Sequence, residues 1–147
     1  MYAAIHLPRF QLQAITRGAS ASASSKPTPT ALLDEVVTGT PLAREQACVL
    51  HVNAAAEPFL VHPGMTASMA RARCATLQFF YRDAAAEQAA QEVLLKASSN
   101  RTPFYESTSP GLCVLDLATL ALARGTELAL GQAICADLAR EQLDAQV

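Results

Sequence analysis

Apolar and polar positions form two kinds of segment along this chain, and together they predict an α+β fold. Short apolar segments that end at Pro, Gly or polar residues are typical of β-strands. They cover Tyr2–Leu7, Ala47–Val52, Leu77–Tyr81 and Leu112–Leu115. Longer segments, in which apolar residues recur every three or four positions, are typical of amphipathic α-helices. They run from Ala84 to about Ser98 and from Glu127 to about Leu143.

Residues that can cap a helix precede four of the predicted helices, because their side chains accept hydrogen bonds from free backbone N–H groups. These residues are Asn53, Thr66, Asp83 and Thr126. A further short helix is predicted at Gln11–Thr16. The two methionines near Thr66, Met65 and Met69, are expected in the core, whereas Gln91 on the first long helix is expected to face water.

Residues 18–30 are predicted to form a flexible loop. Most of this segment is the run ASASASSKPTPT, which consists of small polar residues with two prolines. Such residues bury little apolar surface and do not form a core.

The composition of the 147-residue chain indicates a globular domain, since 51% of the residues are hydrophobic. The net charge of −2 argues against a stand-alone nucleic-acid-binding protein. The four cysteines never form a CxxC pair and are expected to be free thiols in a reducing cytoplasm. A cytoplasmic location is expected, because a signal peptide and an apolar run of about 18 residues are both lacking.

The segment Thr102–Ala118, TPFYESTSPGLCVLDLA, combines a Ser-Pro-Gly turn with a following apolar run. Pro and Gly favour the turn, and the run is long enough for one buried strand. Ser109, Leu115 and Asp116 match the motif S-x-D-E-x-Y-L-D. The segment therefore resembles the palm motif of Y-family (translesion) DNA polymerases.

Two further segments carry the same resemblance in the family's order. Ile5 and His6 match the opening I-H-x-D-M-D-x-F, with His6 expected to be packed in the core. The segment Val61–Gln78 resembles the family's fingers motif, G-V-x-x-G-M-x-x-x-x-A-x-x-L-C-P-x-L. The positions in register are Pro63, Gly64, Met65, Ala70, Cys74 and Leu77.

The catalytic carboxylates of the family have no counterpart at the matching positions. The resemblance places the first metal-binding Asp on Pro8 and the second Asp on Phe10. It places the two hairpin carboxylates on Gly111 and Leu112, and the aromatic pair that includes the steric gate near Leu12 and Gln13. This pattern is similar to that of ImuB-like proteins, which are polymerase relatives without the metal site.

The residues that hold the incoming triphosphate in the family are also replaced. The family's Tyr and Arg fall on Ala54 and Glu57. A phosphate site needs cationic or hydroxyl donors, and Glu57 carries the opposite charge. Neither a nucleotide nor a metal or other cofactor is therefore expected. Arg71 and Arg73 are candidates for a weak contact with DNA.

The resemblance implies an α+β architecture with two parts. Residues 1–12 and 78–147 form a discontinuous, incomplete palm, a ferredoxin-like sheet with two helices. Residues 13–77 form a small inserted helical fingers subdomain that includes the loop 18–30. Five residues are expected on the one palm sheet: His6, Val52, Phe80, Val114 and Leu115.

The function implied by the resemblance is that of a non-catalytic subunit, an adaptor in translesion synthesis, induced mutagenesis and DNA repair. Its partners would be a RecA-like ImuA protein, an error-prone replicative-type polymerase and the sliding clamp. DNA would bind weakly or through other domains, and no membrane is expected. The resemblance covers nearly all of this chain but only the N-terminal part of a full family member, so few of these contacts are expected within it.

Two alternatives remain open from the residues themselves. The chain could be an active nucleotidyltransferase whose carboxylates have moved to Asp83, Glu106 and Asp116. It could also be a small protein-interaction domain unrelated to DNA.

Overall fold

The structure, a computed structural model, describes residues 1–17, 27–34, 40–118, 120 and 126–147. Within these residues the chain forms six strands and five α-helices in an α+β arrangement. The strands are β1 (Tyr2–His6), β2 (Thr30–Leu33), β3 (Val49–Val52), β4 (Gln78–Tyr81), β5 (Tyr105–Ser109) and β6 (Leu112–Asp116). The helices are α1 (Phe10–Thr16), α2 (Pro41–Gln46), α3 (Ala67–Arg73), α4 (Ala84–Ser99) and α5 (Glu127–Arg140).

The chain divides into two compact units. The first unit comprises Met1–Gly18 and Ala84–Val147, and the second comprises Ala19–Asp83. The sequence-based division differs at two places, because α1 lies in the first unit and β4 lies in the second.

The first unit contains an antiparallel three-stranded sheet in the order β1-β6-β5. The central strand β6 alternates between buried and half-buried positions, as expected when one face of a sheet is covered. On the covered face, Ile5 of β1 lies opposite Cys113, and both are fully buried. Leu94 of α4 and Ile134 of α5 belong to the same buried cluster, so the two long helices cover this face.

The second unit has a sheet of its own in the order β3-β2-β4. Its central strand β2 pairs antiparallel with β3 and parallel with β4, and all four of its residues are buried. Helix α3 contributes Ala67 and Ala70 to the core of this unit. The part that was predicted as a small helical fingers subdomain therefore contains a three-stranded sheet in addition to its helices.

The prediction of one common sheet was wrong. His6, Val114 and Leu115 lie on the β1-β6-β5 sheet, whereas Val52 and Phe80 lie on β3 and β4 of the other sheet. The physical reason is β2, which pairs with both β3 and β4 and so holds them in the second unit. Thr30 begins this strand, and residues 18–26 of the predicted loop lie outside the described residues.

Several local predictions can be compared with individual side chains. The side chain of Thr66 accepts a hydrogen bond from the Met69 N–H and caps α3 as predicted, but Thr126 makes no such bond at α5. His6 and Met69, which were expected in the core, are exposed. The four cysteines are free thiols, and burial raises the pKa of the Cys113 thiol. None of the helices in the described part of the chain has the length and apolar character that a membrane crossing requires.

An ion pair joins α5 to the residues that follow α4, and it makes the stability of the first unit dependent on pH. Arg101 donates to Asp137 over 2.6 Å, and this hydrogen bond holds the pKa of the Asp137 carboxyl below its usual value. A lowered folded-state pKa gives stability above the unfolded-state pKa, and this stability is lost as the pH falls through the folded-state value.

We therefore expect the free energy of unfolding of the wild type to fall more steeply than that of Asp137→Asn when the pH is lowered from about 5 to about 2. Urea titrations across this pH range measure the difference. Glu92→Gln on the exposed side of α4 is the control and should keep the wild-type slope between these pH values. Parallel curves for wild type and Asp137→Asn would contradict the assignment.

Candidate functional site

The hairpin corner is the place where the end of β1 meets the turn between β5 and β6, and it comprises residues 7–10 and 109–112. His6 pairs with Leu112 across the two strands. The N–H group of Leu7 donates to the carbonyl oxygen of Gly111 over 2.8 Å, and Pro8 follows directly. The structure thus brings together Pro8, Gly111 and Leu112, the three positions singled out in the sequence.

Gly111 has a backbone conformation and a neighbour that both require glycine. Its φ angle is 75°, a left-handed conformation that other residues adopt at a cost. A Cβ atom built on Gly111 would lie 2.6 Å from Cβ and 2.8 Å from Cγ of Phe10. Phe10 is the first residue of α1 and only 8% exposed. Phe10 therefore fills the space into which any side chain at position 111 would project.

Two glutamine side chains hold the corner in place. Gln91 of α4 accepts a hydrogen bond from the Gly111 N–H over 2.8 Å and donates to Oγ of Ser107 over 3.0 Å. Gln13 of α1 donates to the carbonyl oxygens of Pro8 and Asp144, and its own Oε1 accepts from the Asp144 N–H. Gln91, which was predicted to face water, is half-buried, and its amide joins α4 to the hairpin turn.

The side chains at the corner do not fit a magnesium site. Phosphoryl transfer to a primer end uses two Mg²⁺ ions roughly 3.5–4 Å apart, and Mg²⁺ prefers oxygen ligands. The side chains of Pro8, Phe10 and Leu112 are hydrocarbon, and Gly111 has none. Across the whole described part of the chain, no group of three or more His, Cys, Asp or Glu residues is arranged to hold a metal ion.

The alternative carboxylates lie away from the corner or outside the first unit. Asp116 is at the opposite end of β6, where it pairs with Tyr2, and its Oδ1 accepts a hydrogen bond from the Ala118 N–H. Glu106 of β5 lies opposite Val114. Asp83 belongs to the second unit. Glu106 and Asp116 share one face of the sheet, because Val114 and Asp116 are two positions apart on β6.

Two of the nucleotide-site positions in the second unit are exposed. Ala54 lies in a turn, and Glu57 begins a short 3₁₀-helix, Glu57–Phe59. Asn53 fixes this turn, because its Oδ1 accepts hydrogen bonds from the N–H groups of Thr30 and Ala56. The turn is thus well held, but the exposed side chains at positions 54 and 57 bring no cation or hydroxyl group to it.

The two arginines that were candidates for DNA contact are on α3, and both make contacts within the second unit. Arg73 donates to the carbonyl oxygen of Leu60 over 2.8 Å, at a residue with a left-handed φ of 58°. The guanidinium of Arg71 lies over the ring of Phe79, 5.2 Å from its centroid. Both side chains are exposed, and a contact with DNA remains a prediction.

A family model covers most of this chain. The model of the IMS (impB/mucB/samB) family matches residues 20–147. The chain belongs to the impB/mucB/samB family. A search of curated proteins gave no match.

Solved structures of Y-family DNA polymerases share the fold of this family member. A Y-family DNA polymerase chimera of Dbh and Dpo4 has a TM-score of 0.77 at 14% identity, and a post-insertion binary complex of Dbh DNA polymerase has 0.77 at 16%. DinB from Sulfolobus solfataricus has 0.75 at 15%. In each case 98% of this chain covers 40% of the solved chain. This likeness confirms the predicted α+β fold of a polymerase palm and fingers region.

The corner of this impB/mucB/samB family member contains two residues that sequence reasoning missed. Gln13 was assigned only as a replaced gate position, and Gln91 only as a surface residue. Glutamine is common on helix surfaces. The hydrogen-bond partners of these two glutamines are mostly backbone groups, which every residue has, so a sequence pattern does not reveal them. The sequence signal is the Pro110-Gly111 pair, which predicts a turn, and the Gly111 N–H group of that turn needs an acceptor nearby.

Proposed function

We propose that this chain forms the palm and fingers portion of a non-catalytic, ImuB-like member of the impB/mucB/samB family. Such a subunit acts as an adaptor in translesion synthesis and induced mutagenesis rather than as a polymerase. The observation that carries this proposal is that a Cβ atom built on Gly111 would lie too close to Phe10. Membership of the family and the polymerase-like fold support the link to DNA damage bypass.

This close approach matters because positions 10 and 111 are two of those at which the resemblance to Y-family polymerases places a carboxylate. A carboxylate at position 111 would meet the ring of Phe10 before it reached a metal ion. A carboxylate at position 10 would replace a residue of the hydrophobic core. The corner therefore serves as packed structure, with Gln13 and Gln91 as its supports, and the phosphoryl-transfer chemistry passes to a partner.

The proposed partners are those of an adaptor in the cytoplasm. They are a RecA-like ImuA protein, an error-prone replicative-type polymerase and the sliding clamp. DNA is held weakly by this portion, with Arg71 and Arg73 as the candidate contacts. Co-purification of these proteins with the full-length protein tests this part of the proposal, and capture of none of them would favour an interaction domain unrelated to DNA.

A second candidate function is a polymerase with relocated carboxylates, and one observation favours it. Glu106 and Asp116 lie on neighbouring strands and share one face of the sheet. Asp116 is less suited than a corner residue, because one of its oxygens already accepts the Ala118 N–H. The third member of this hypothesis, Asp83, is in the other unit.

Metal titration and primer extension separate the two candidates. With Mg²⁺ or Mn²⁺, we expect no extension of a primed template above background, because the corner supplies no carboxylate. A Mn²⁺ titration of the ¹⁵N-labelled chain should give no saturable line broadening at residues 7–10 or 109–112. An active Y-family polymerase is the positive control for extension. Metal-dependent extension that disappears in Asp116→Ala would overturn the proposal.

A further inference from the structure

The second face of the β1-β6-β5 sheet, opposite the helices, is open. Residues that pair across antiparallel strands point to the same face, so the register defines this surface. The open face consists of Tyr2, Ala4, His6, Phe104, Glu106, Ser109, Leu112, Val114 and Asp116. On β1 the residues of this face are exposed, whereas Ile5 of the other face is fully buried.

Two aromatic side chains, Tyr2 and Phe104, lie at one end of the open face, and Asp116 lies between them on the central strand β6. Tyr2 of β1 pairs with Asp116 of β6, and the Asp116 N–H donates to the carbonyl oxygen of Phe104 over 2.9 Å. These three residues therefore form one row across the sheet. Tyr2 is 73% exposed and Phe104 is 49% exposed. Large exposed aromatic side chains with an apolar surface beside them are typical of interaction sites.

The charges of the open face are negative. Glu106 and Asp116 are its carboxylates, His6 is its remaining ionisable group besides Tyr2, and none of the nine residues is Lys or Arg. No described lysine or arginine forms an ion pair with either carboxylate. A cation placed in the row of Tyr2, Asp116 and Phe104 would meet a carboxylate beside two aromatic rings, and the negative face of such a ring attracts arginine or lysine.

We propose that the open face docks a protein segment that presents an arginine or lysine side chain. The cation lies in the row of Tyr2, Asp116 and Phe104, and the apolar part of the segment lies along Ala4, Val114 and Leu112. This inference rests on the proposed function, since a face with bound magnesium ions would attract phosphate groups instead. It adds the chemistry of the partner and the surface that the partner uses.

The same charges disfavour the other occupants. A nucleic acid would bring phosphates against Glu106 and Asp116, without a basic residue on the face to release counterions. A second copy of the chain would meet the face with itself in a two-fold dimer, and this would bring the carboxylates of both copies together. A basic protein segment is the occupant whose charge complements the surface.

The probe for this site is N-acetyl-L-argininamide, which carries one guanidinium and no phosphate. Titration of the ¹⁵N-labelled chain should give saturable chemical-shift changes centred on Tyr2, Phe104 and Asp116. The uncharged N-acetyl-L-norleucinamide should give none. Removing the two carboxylates with Glu106→Gln and Asp116→Asn, or the rings with Tyr2→Ala and Phe104→Ala, should weaken binding about threefold or more. Glu92→Gln on α4 removes one charge elsewhere and should change nothing.

The possible outcomes decide the inference separately from the proposed function. Saturable shifts at the row that both double variants weaken support it. Shifts elsewhere, equal binding of the uncharged probe, tighter binding of oligothymidine to the same residues, or a concentration-dependent dimer through this face would overturn it. Each of these results leaves the primer-extension and Mn²⁺ experiments unaffected, so the non-catalytic role stands or falls on its own measurements.

Discussion

Gly111→Ala is expected to lower the free energy of unfolding by about 2–5 kcal/mol. Residue 111 has a φ of 75°, and leaving glycine there costs about 1–2 kcal/mol. The new Cβ would also lie 2.6 Å from Cβ of Phe10, and forcing extra volume into a packed site costs about 1–3 kcal/mol more. Urea titration followed by far-ultraviolet circular dichroism measures the loss.

A second glycine provides a matched control. Gly64 also has a positive φ, 92°, but a Cβ built on it would have nothing within 4 Å. Gly64→Ala should therefore lose only the backbone part, about 1–2 kcal/mol. Equal losses at the two glycines would show that Phe10 does not restrict position 111.

The variant Phe10→Gly completes the test as a double-mutant cycle. Phe10→Ala would keep the Cβ that makes the shortest contact, so glycine is required to remove it. In the Phe10→Gly background, Gly111→Ala should cost clearly less than in the wild type, because residues in contact do not contribute additively. An unchanged cost would place the strain of position 111 in the backbone alone.

This coupling bears on how the corner differs from a polymerase active site. If Phe10 leaves no room for a side chain at position 111, no single substitution can place a carboxylate there without loss of stability. Both positions must change together. Packing against Phe10 therefore opposes a carboxylate at position 111 of this chain.

The long helices were predictable because their signal is local. Apolar residues three or four positions apart predicted a helix from Ala84 to about Ser98, and α4 runs from Ala84 to Ser99. The last helix was predicted to reach about Leu143 but ends at Arg140. The left-handed Gln142, with a φ of 61°, turns the chain so that Leu143 enters the core.

The second sheet was not predictable in the same way, because strand pairing is not local. β2 is four residues long and follows a low-complexity segment, so its periodicity is too short to detect. Its burial depends on β3 and β4, which come later in the chain. The assignment of Val52 and Phe80 to the sheet of His6 failed for this reason.

The resemblance predicted the positions of the candidate site, but their packing and hydrogen bonds could be seen only in the structure. The motif alone predicted that Pro8, Gly111 and Leu112 lie together. Phe10 blocks a side chain at position 111 only because of the way α1 is rotated about its axis relative to the hairpin. Sequence spacing does not predict this rotation. The same is true of Gln91, whose amide satisfies the turn from another helix.

Leu115→Ala and Val114→Ala measure which face of the sheet is covered, and the first should have a large effect. Leu115 is fully buried in the cluster with the helices, and truncating such a leucine costs about 2–5 kcal/mol. Val114, its neighbour on β6, is only half-buried on the open face, and its truncation should cost about 1 kcal/mol or less. Urea titrations of both variants compare the two faces within one strand. Because the docking inference needs a face that the chain leaves uncovered, equal losses at Val114 and Leu115 would remove its basis, while the expected difference leaves the open face free for a partner.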